Sequence, residues 1–373
     1  MRNKTLKAGF IGFGLIGGSI ARCLRNIYPD CTLIAYNYHA PNSSAPLEAA
    51  KSDGVLDDVK DSLSDGFSDS DIIFLCAPVL RNIEYIKMLQ PMLHPDCILT
   101  DVGSVKGNIH SAIKELGLES QFIGGHPMAG SEKTGYENSS LTLLENAYYI
   151  LTPTESTKEA DLSFMKEMVA AIGAIPVILD ANSHDAITAA ISHVPHIISA
   201  ALVNLVGSAP EKEQMAALAA GGFKDITRIS SSSPQMWQNI CLTNTDCMIS
   251  CLQDYIKLLA EAEKLLQEKD ADGLYQLFAD AKAFRDSIPN SSTGLLCRNY
   301  TILVDIRDEM GAFARVATLL AENHINIKNM GILNNREFIE GVLGIELANQ
   351  QDVDTSIQIL KEQGYVIFSS SDA

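Results

Sequence analysis

A histidine in a loop of small residues is the strongest candidate for acid–base chemistry in this chain. His126 follows Gly124 and Gly125 in the segment GGHPMAGSE, which is too rich in small residues to form a core. An imidazole titrates close to neutral pH, so it is suited to act as a general base. We therefore predict a catalytic role for His126. The alternative is a structural histidine whose hydrogen bonds are satisfied inside the protein.

Ser104 is the second candidate for a catalytic role. It lies in the segment TDVGSVK, where a predicted strand, Cys97–Val102, opens into a helix. Ligands bind at the carboxyl ends of the strands of a parallel sheet, so a hydroxyl group at this place can hydrogen-bond a substrate. The alternative is that Ser104 caps the helix that follows it.

A cationic pair and the only tryptophan occur much later in the chain. Lys224 and Arg228 are spaced i, i+4 in the segment GGFKDITR, and Trp237 follows them. In so acidic a protein, a cationic pair beside a glycine turn is typical of a site that binds a carboxylate. The alternative is an exposed helix face that pairs with neighbouring acidic side chains.

His193 and His196 lie one helical turn apart in the segment SHVPH. Metal ligands also occur at this spacing, but no carboxylate at a matching distance along the chain completes a set of ligands. We therefore predict that the chain binds no metal.

The segment GFGLIGGS is a glycine-rich loop between a predicted strand and a predicted helix. Gly12 permits a tight turn, Gly14 lets the backbone approach a pyrophosphate, and Gly17 allows close packing of helix on strand. The phosphates then lie at the positive end of the helix. The alternative is a purely structural turn. We predict dinucleotide binding by Gly12, Gly14, Leu15, Ile16, Gly17, Asn37, Ala77 and Pro78.

Asn37 occupies the position at which an acidic residue usually binds the ribose of the adenosine half. Its amide can hydrogen-bond the ribose hydroxyls, and it lacks the charge that would repel a 2′-phosphate. No Arg or Lys follows immediately to bind such a phosphate. The sequence therefore favours NAD as cofactor and leaves NADP open.

The predicted order of strands and helices along the chain places these residues in three domains. From Lys7 to about Leu179, short β-branched runs alternate with helix-length segments, which is typical of a Rossmann-like, doubly wound α/β sheet. Ala/Leu-rich segments after Asp180 predict an all-α domain. The order βαββαβ between Tyr300 and Phe368 predicts a ferredoxin-like domain. We place these domains at 1–180, 181–287 and 299–373, with a Pro/Ser/Gly linker at 288–298.

Composition and charge exclude several classes of protein. The 373 residues carry 28 basic and 46 acidic side chains, a formal charge of -18, which disfavours nucleic acid and anionic membrane surfaces as partners. Eight cysteines without a CxxC pair indicate a reducing compartment. The apolar stretch from Ala186 to Val206 contains His193, Pro195 and His196, so we predict no membrane span. A cytoplasmic protein is expected.

The succession GFGLIGGS, DVGSVK, GGHPMAGSE, SHVPH and GGFKDITR, followed by Trp237, resembles the prephenate/arogenate dehydrogenase family of tyrosine biosynthesis. The resemblance implies oxidative decarboxylation of prephenate to 4-hydroxyphenylpyruvate, with a hydride passing from C4 to NAD. It implies that His126 takes the proton of the 4-hydroxyl, that Ser104 orients that hydroxyl and that Arg228 binds a substrate carboxylate. The other substrate-binding residues would be His193, His196, Lys224, Trp237 and, at the mouth of the site, Glu132.

The C-terminal segment resembles an ACT domain, a module that binds amino acids at paired interfaces. The resemblance implies feedback control by tyrosine, with Met310, Gly311 and Asn326 at the effector site. ACT domains usually pair edge to edge, and the helices after Asp180 are more apolar than exposed helix layers should be, so we predict a homodimer formed through the helical domain. Arogenate, or both cyclohexadienyl substrates, is the alternative for the reaction. A β-hydroxyacid or imine reductase and an NAD-binding sensor without catalysis are more remote alternatives.

Overall fold

The structure is a computed structural model that describes residues 5–37, 45–130, 133–288, 300–306, 309–333, 342–347 and 349–368. The chain separates into two compact units, Met1–Ile288 and Pro289–Ala373. The predicted linker at 288–298 lies outside the described residues except for Ile288.

A five-stranded parallel sheet forms the centre of the first unit, in the order β3-β2-β1-β4-β5. Its strands are buried almost throughout, as expected for a parallel sheet covered on both faces. Phe10 and Phe74 stack on one face, whereas the adjacent Ile11 and Leu75 belong to the core on the other. The five strands are β1 (Lys7–Ile11), β2 (Thr32–Tyr36), β3 (Asp58–Val59), β4 (Ile72–Leu75) and β5 (Ile98–Asp101).

Three further strands continue this layer: β6 (Ile123–Pro127), β7 (Tyr148–Pro153) and β8 (Ile175–Ile178). β7 pairs antiparallel with β6 and parallel with β8, and a bridge between Leu99 and Phe122 joins β6 to the five-stranded sheet. His126 lies inside β6, opposite Ile150, so the prediction that it occupies a loop was wrong. The strand extends through the two glycines because both lie in backbone pairing with β7.

Five helices connect the strands: α1 (Leu15–Ile27), α2 (Ala45–Ser52), α3 (Val79–Leu89), α4 (Gly107–Glu115) and α5 (Glu159–Ala171). α1 starts directly after the glycine loop, and its apolar face packs on the sheet through residues such as Ile20 and Leu24. α4 starts after the loop that follows β5. The loops at the carboxyl ends of β1, β4 and β5 therefore converge on one edge of the sheet.

The remainder of the first unit is helical, as predicted. α6 (Ala181–Thr188) and α7 (Val194–Gly207) form one continuous helix interrupted by a π turn at Ala189–His193. In the described part of the chain, this stretch, Ala181–Gly207, is the one helix long and apolar enough to cross a membrane by length and composition. The other helices are α8 (Lys212–Leu218), α9 (Gly221–Thr227), α10 (Pro234–Thr243), α11 (Thr245–Glu268) and α12 (Ala271–Ser287).

The second unit contains a four-stranded antiparallel sheet in the order β10-β11-β9-β12. Two helices pack on it, and their contacts form a separate apolar core around Val316, Leu343 and Leu360. Its elements are β9 (Tyr300–Asp305), α13 (Ala312–Glu322), β10 (Ile327–Leu333), β11 (Val342–Leu347), α14 (Gln350–Glu362) and β12 (Ile367–Phe368).

Candidate active site

The glycine loop has the geometry of a dinucleotide-binding turn. Gly12 has a φ of 84°, and a Cβ atom there would lie 2.6 Å from the backbone nitrogen of Ala77. Around Gly14, by contrast, a Cβ would meet no atom within 4 Å. A Cβ at Gly17 would lie 3.2 Å from the Cys76 sulfur, so this glycine allows α1 to pack closely on β4. Each glycine therefore occupies a place that matches its predicted role.

The N-terminus of α1 is free to bind an anion. No side chain caps it and its first turn contains no acidic residue, so its N–H groups and the positive end of the helix dipole point toward the space beside Gly14. Asn37 stabilises this loop, because its Oδ1 accepts a hydrogen bond of 2.7 Å from the Phe13 N–H. The sequence did not reveal that contact. Ala77 and Pro78 lie opposite Gly12, where β4 leads into α3.

Ser104 lies in the loop between β5 and α4. It does not cap the helix, which begins at Gly107 with Lys106 at its N-cap position. Ser104 is partly exposed and has no hydrogen-bond partner among the described residues. Its hydroxyl is therefore available to a ligand at the carboxyl edge of the sheet.

A buried ion pair joins this loop to β6. Asp101 and Lys106 are both fully buried and paired with each other. The Lys106 ammonium also donates to the Gly125 carbonyl at 2.7 Å, and Asp101 accepts from the N–H groups of Gly103 at 2.9 Å and Gly125 at 3.2 Å. Charges in the interior need such partners. The pair holds the segments that carry Ser104 and His126 next to each other.

Glycine is required at two positions of β6 because the packing there is so close. A Cβ at Gly124 would lie 2.2 Å from the Thr152 hydroxyl, and one at Gly125 would lie 2.6 Å from the Asp101 carbonyl oxygen. The two glycines therefore let β6 approach β5 and α4 closely, which places His126 at the edge of the sheet.

His126 is partly buried and bonded to a second histidine. Its Nδ1 lies 2.8 Å from Nε2 of His184, a residue of α6 that is fully buried. Burial, followed by the charge of Lys106 and then by the imidazoles of His184 and His193, holds the pKa of His126 well below its usual value of 6.5. His126 is consequently a neutral imidazole at neutral pH, the form that accepts a proton.

A second cluster lies on the helical side. The rings of His196 and Trp237 stack with centroids 3.6 Å apart. His193 meets the same indole edge-on at 6.1 Å, is only 1% exposed and has its Nδ1 3.1 Å from the Asn244 amide. Burial lowers the pKa of His193 to about 4. The π turn that contains His193 supplies a local irregularity of the kind that often occurs at functional sites.

Arg228 and Lys224 are exposed residues of the helical part of the first unit. Lys224 is exposed on α9, and no ion pair engages it within the described ranges. Arg228 is exposed and begins a 3-10 turn after α9 ends, so the two cations do not share the face of one uninterrupted α-helix. The Arg228 charge contributes, after burial, to lowering the pKa of His196, which indicates that the two are neighbours.

The remaining predicted site residues lie elsewhere. Glu132 is outside the described residues. In the second unit, Met310 is 98% exposed, Gly311 has a φ of 83° at the start of α13, and Asn326 is exposed just before β10. No group of three or more His, Cys, Asp or Glu side chains arranged to hold a metal ion occurs in the part of the chain that the structure describes.

Comparison with known proteins gives a consistent family. Residues 20–178 match the family model for the nucleotide-binding domain of prephenate dehydrogenase, and residues 180–280 match the model for its dimerization domain. A prephenate dehydrogenase from Bacillus subtilis (strain 168) is 34% identical over 347 residues, which cover 91% of this chain and 92% of the relative.

Two solved structures resemble this chain at 30% identity. One is a prephenate dehydrogenase from A. aeolicus in complex with hydroxyphenyl propionate and NAD+; the TM-score is 0.71 and the match covers 78% of this chain and 100% of the other. The second is an arogenate dehydrogenase from Synechocystis, with a TM-score of 0.68 and coverage of 76% and 100%. These matches confirm the predicted Rossmann-like domain, the helical dimerisation domain and the class of enzyme, an NAD-dependent oxidoreductase. The chain belongs to the prephenate dehydrogenase family.

Proposed function

We propose that this chain catalyses the NAD-dependent oxidative decarboxylation of prephenate to 4-hydroxyphenylpyruvate. The observation that carries the proposal is the position of His126, a neutral imidazole at the same sheet edge as the dinucleotide loop. A base beside a nicotinamide site is what removal of a hydroxyl proton with concurrent hydride loss requires. The names of the relatives supply the substrate.

The residues of the glycine loop fit NAD. The open space at Gly14 and the uncapped N-terminus of α1 would hold the pyrophosphate, contacted by Gly12, Leu15, Ile16 and Gly17. Asn37 would lie at the adenosine ribose, and Ala77 and Pro78 would line the path toward the nicotinamide. When bound, NAD supplies the acceptor for the hydride that leaves C4 of the substrate.

The protein's own groups would then handle the proton and the carboxylates. His126 accepts the proton of the 4-hydroxyl as the hydride leaves C4, and it returns this proton to the same oxygen when loss of CO₂ makes the ring aromatic. The hydroxyl of Ser104 orients that oxygen. Arg228 binds a carboxylate of the substrate by a charge-assisted hydrogen bond. The ring carboxylate leaves as CO₂ while the ring becomes aromatic, so the main tasks of the site are orientation and proton removal. His193, His196, Lys224, Trp237 and Glu132 are proposed to line the pocket.

Arogenate is the second candidate substrate. The structural similarity to an arogenate dehydrogenase is nearly as high as that to a prephenate dehydrogenase, at equal sequence identity. The two substrates differ at the side chain, where arogenate carries an ammonium group. A preference for arogenate would leave the proposed roles of His126 and Ser104 unchanged.

For the C-terminal unit we propose an ACT domain that binds tyrosine as a feedback effector near Met310, Gly311 and Asn326. The strand order β10-β11-β9-β12 with two helices supports a ferredoxin-like arrangement. The domain limits 1–180, 181–287 and 299–373 with a linker at 288–298 are part of this proposal.

We also propose a cytoplasmic homodimer formed through the helical domain, whose exposed apolar side chains include Leu205, Phe278 and Phe284.

The reaction is tested by following NADH absorbance with purified protein. Prephenate and arogenate are crossed with NAD and NADP, each with and without tyrosine. Turnover of prephenate with NAD is expected, and suppression by tyrosine would support the proposed effector. Turnover of arogenate alone would move the substrate to the second candidate. Binding of NAD without turnover of either substrate would contradict the proposed reaction.

A further inference from the structure

A chain of three side chains runs from the proposed base into the interior. His126 Nδ1 lies 2.8 Å from His184 Nε2, and His184 Nδ1 lies 2.8 Å from Oδ1 of Asp185. Asp185 in turn accepts hydrogen bonds from the backbone N–H groups of Lys106 at 2.8 Å and Gly107 at 2.7 Å, at the start of α4. His184 is fully buried and Asp185 is 6% exposed, so His126 is the member of the chain nearest the proposed ligands.

Hydrogen-bond accounting decides which nitrogens carry protons. A carboxylate only accepts, so the proton between Asp185 and His184 belongs to His184 Nδ1. In a neutral His184 the other nitrogen, Nε2, is then an acceptor, and the contact with His126 requires a proton on His126 Nδ1. The lone pair of His126 is thereby left on Nε2, the nitrogen that points away from the relay.

We propose that His184 and Asp185 are positioning residues that fix His126 in the tautomer whose Nε2 accepts the substrate proton. This inference rests on the proposed function, because it concerns the same base. An imidazolium formed at His126 keeps its hydrogen bond to His184 Nε2, with the Asp185 carboxylate behind His184. A triad aspartate behind a catalytic histidine acts in this way in serine proteases.

The groups around His126 act on its protonation in opposite directions. Burial, the Lys106 ammonium and the rings of His184 and His193 disfavour an imidazolium at His126, whereas Asp101 compensates the charge of Lys106 through its buried ion pair.

Two substitutions of His184 distinguish the loss of its hydrogen-bond acceptor from a change in side-chain volume. His184→Leu removes the acceptor, and we expect kcat to fall by about 10- to 10²-fold, within the range that misplacing a general base produces, while KM for prephenate changes little. His184→Gln offers a carbonyl acceptor of similar reach and is expected to retain more of kcat than His184→Leu. His110→Gln is the matched control, since its imidazole is bonded to Thr152 at 2.9 Å outside the relay. An unchanged kcat in His184→Leu, or an equal loss in both His184 variants, would overturn the proposal.

A measurement on the unmodified protein remains decisive if these variants do not fold. In protein labelled with ¹⁵N-histidine, NMR at neutral pH reports which nitrogen of His126 carries the proton, and His126→Asn assigns the signal. We expect the Nδ1–H tautomer. An Nε2–H tautomer at His126 would overturn the relay. Because this experiment needs no substrate, its outcome is independent of whether prephenate is turned over.

Discussion

His126 and Arg228, the two residues with the most direct proposed roles, are held in contrasting ways. His126 lies in a strand and is connected to buried partners on α4 and α6 through His184, Asp185 and the Asp101–Lys106 pair. Arg228 is exposed and belongs to a 3-10 turn after a short helix. The proposed base is thus fixed within the folded chain, whereas Arg228, the proposed ligand of the substrate carboxylate, is a long side chain exposed at the surface. A base must adopt one orientation for proton removal, and the buried partners of His126 supply it.

The largest expected effect follows from removing the base. In His126→Asn the proton acceptor is lost while the sheet edge is kept, so kcat for prephenate should fall by roughly 10²- to 10⁴-fold with a modest change in KM. Steady-state kinetics with saturating NAD measure this. A variant that binds NAD normally and retains its kcat would remove His126 from the mechanism.

The stability of the first unit should depend on the buried ion pair between Asp101 and Lys106. Lys106→Met leaves the carboxylate of Asp101 buried without its partner, and we expect the free energy of unfolding of the first unit to fall by about 3–5 kcal/mol. Urea denaturation followed by circular dichroism measures the change. The double variant Asp101→Asn with Lys106→Met is the control and should recover part of the loss. Equal stability of Lys106→Met and the unmodified protein would show that the pair does not hold the site together.

Substitution of the exposed Arg228 should change KM for prephenate more than kcat. Arg228→Gln removes the proposed charge-assisted hydrogen bond, and we expect KM for prephenate to rise by roughly 10- to 10²-fold, with a smaller effect on kcat. Lys224→Gln in the same region provides a matched loss of one positive charge and is expected to have a weaker effect. If KM is unchanged in Arg228→Gln, the proposed carboxylate contact is wrong.

The smallest effect is expected at the stacked rings. Trp237→Ala removes the indole against which His196 packs, so KM should rise by about two- to tenfold, in keeping with the modest energy of one aromatic pair. Trp237→Phe preserves a ring at the position and should lie closer to the unmodified protein. A large fall in kcat with constant KM would assign Trp237 a role in positioning the base instead.

Local sequence patterns predicted most of the fold. The predicted strand Cys97–Val102 corresponds to β5, Ile98–Asp101, and the glycines at 12, 14 and 17 have the geometry expected of a dinucleotide loop. A single misplaced boundary put His126 in a loop, because glycines usually end strands, and here they are required by close packing against Thr152 and Asp101.

The interior contacts of the site were not predictable in the same way. Asp185 and Lys106 are 79 residues apart in sequence, and their contact depends on how α6 docks against α4. Neither residue belongs to a periodic pattern that signals this contact. The hydrogen bond from the Phe13 N–H to Asn37 was also not predicted. An asparagine at this position can bind either the ribose or the backbone of the glycine loop, and the sequence does not distinguish the two.

The pH dependence of kcat/KM for prephenate tests most directly whether the protein interior holds His126 as a neutral base. The base is active when deprotonated, and its pKa lies well below 6.5. We therefore expect no imidazole-controlled loss of kcat/KM from pH 8 down to about 6.5, followed by a fall below that pH. An ascending limb with its midpoint at or above pH 7 that is lost in His126→Asn would contradict the account.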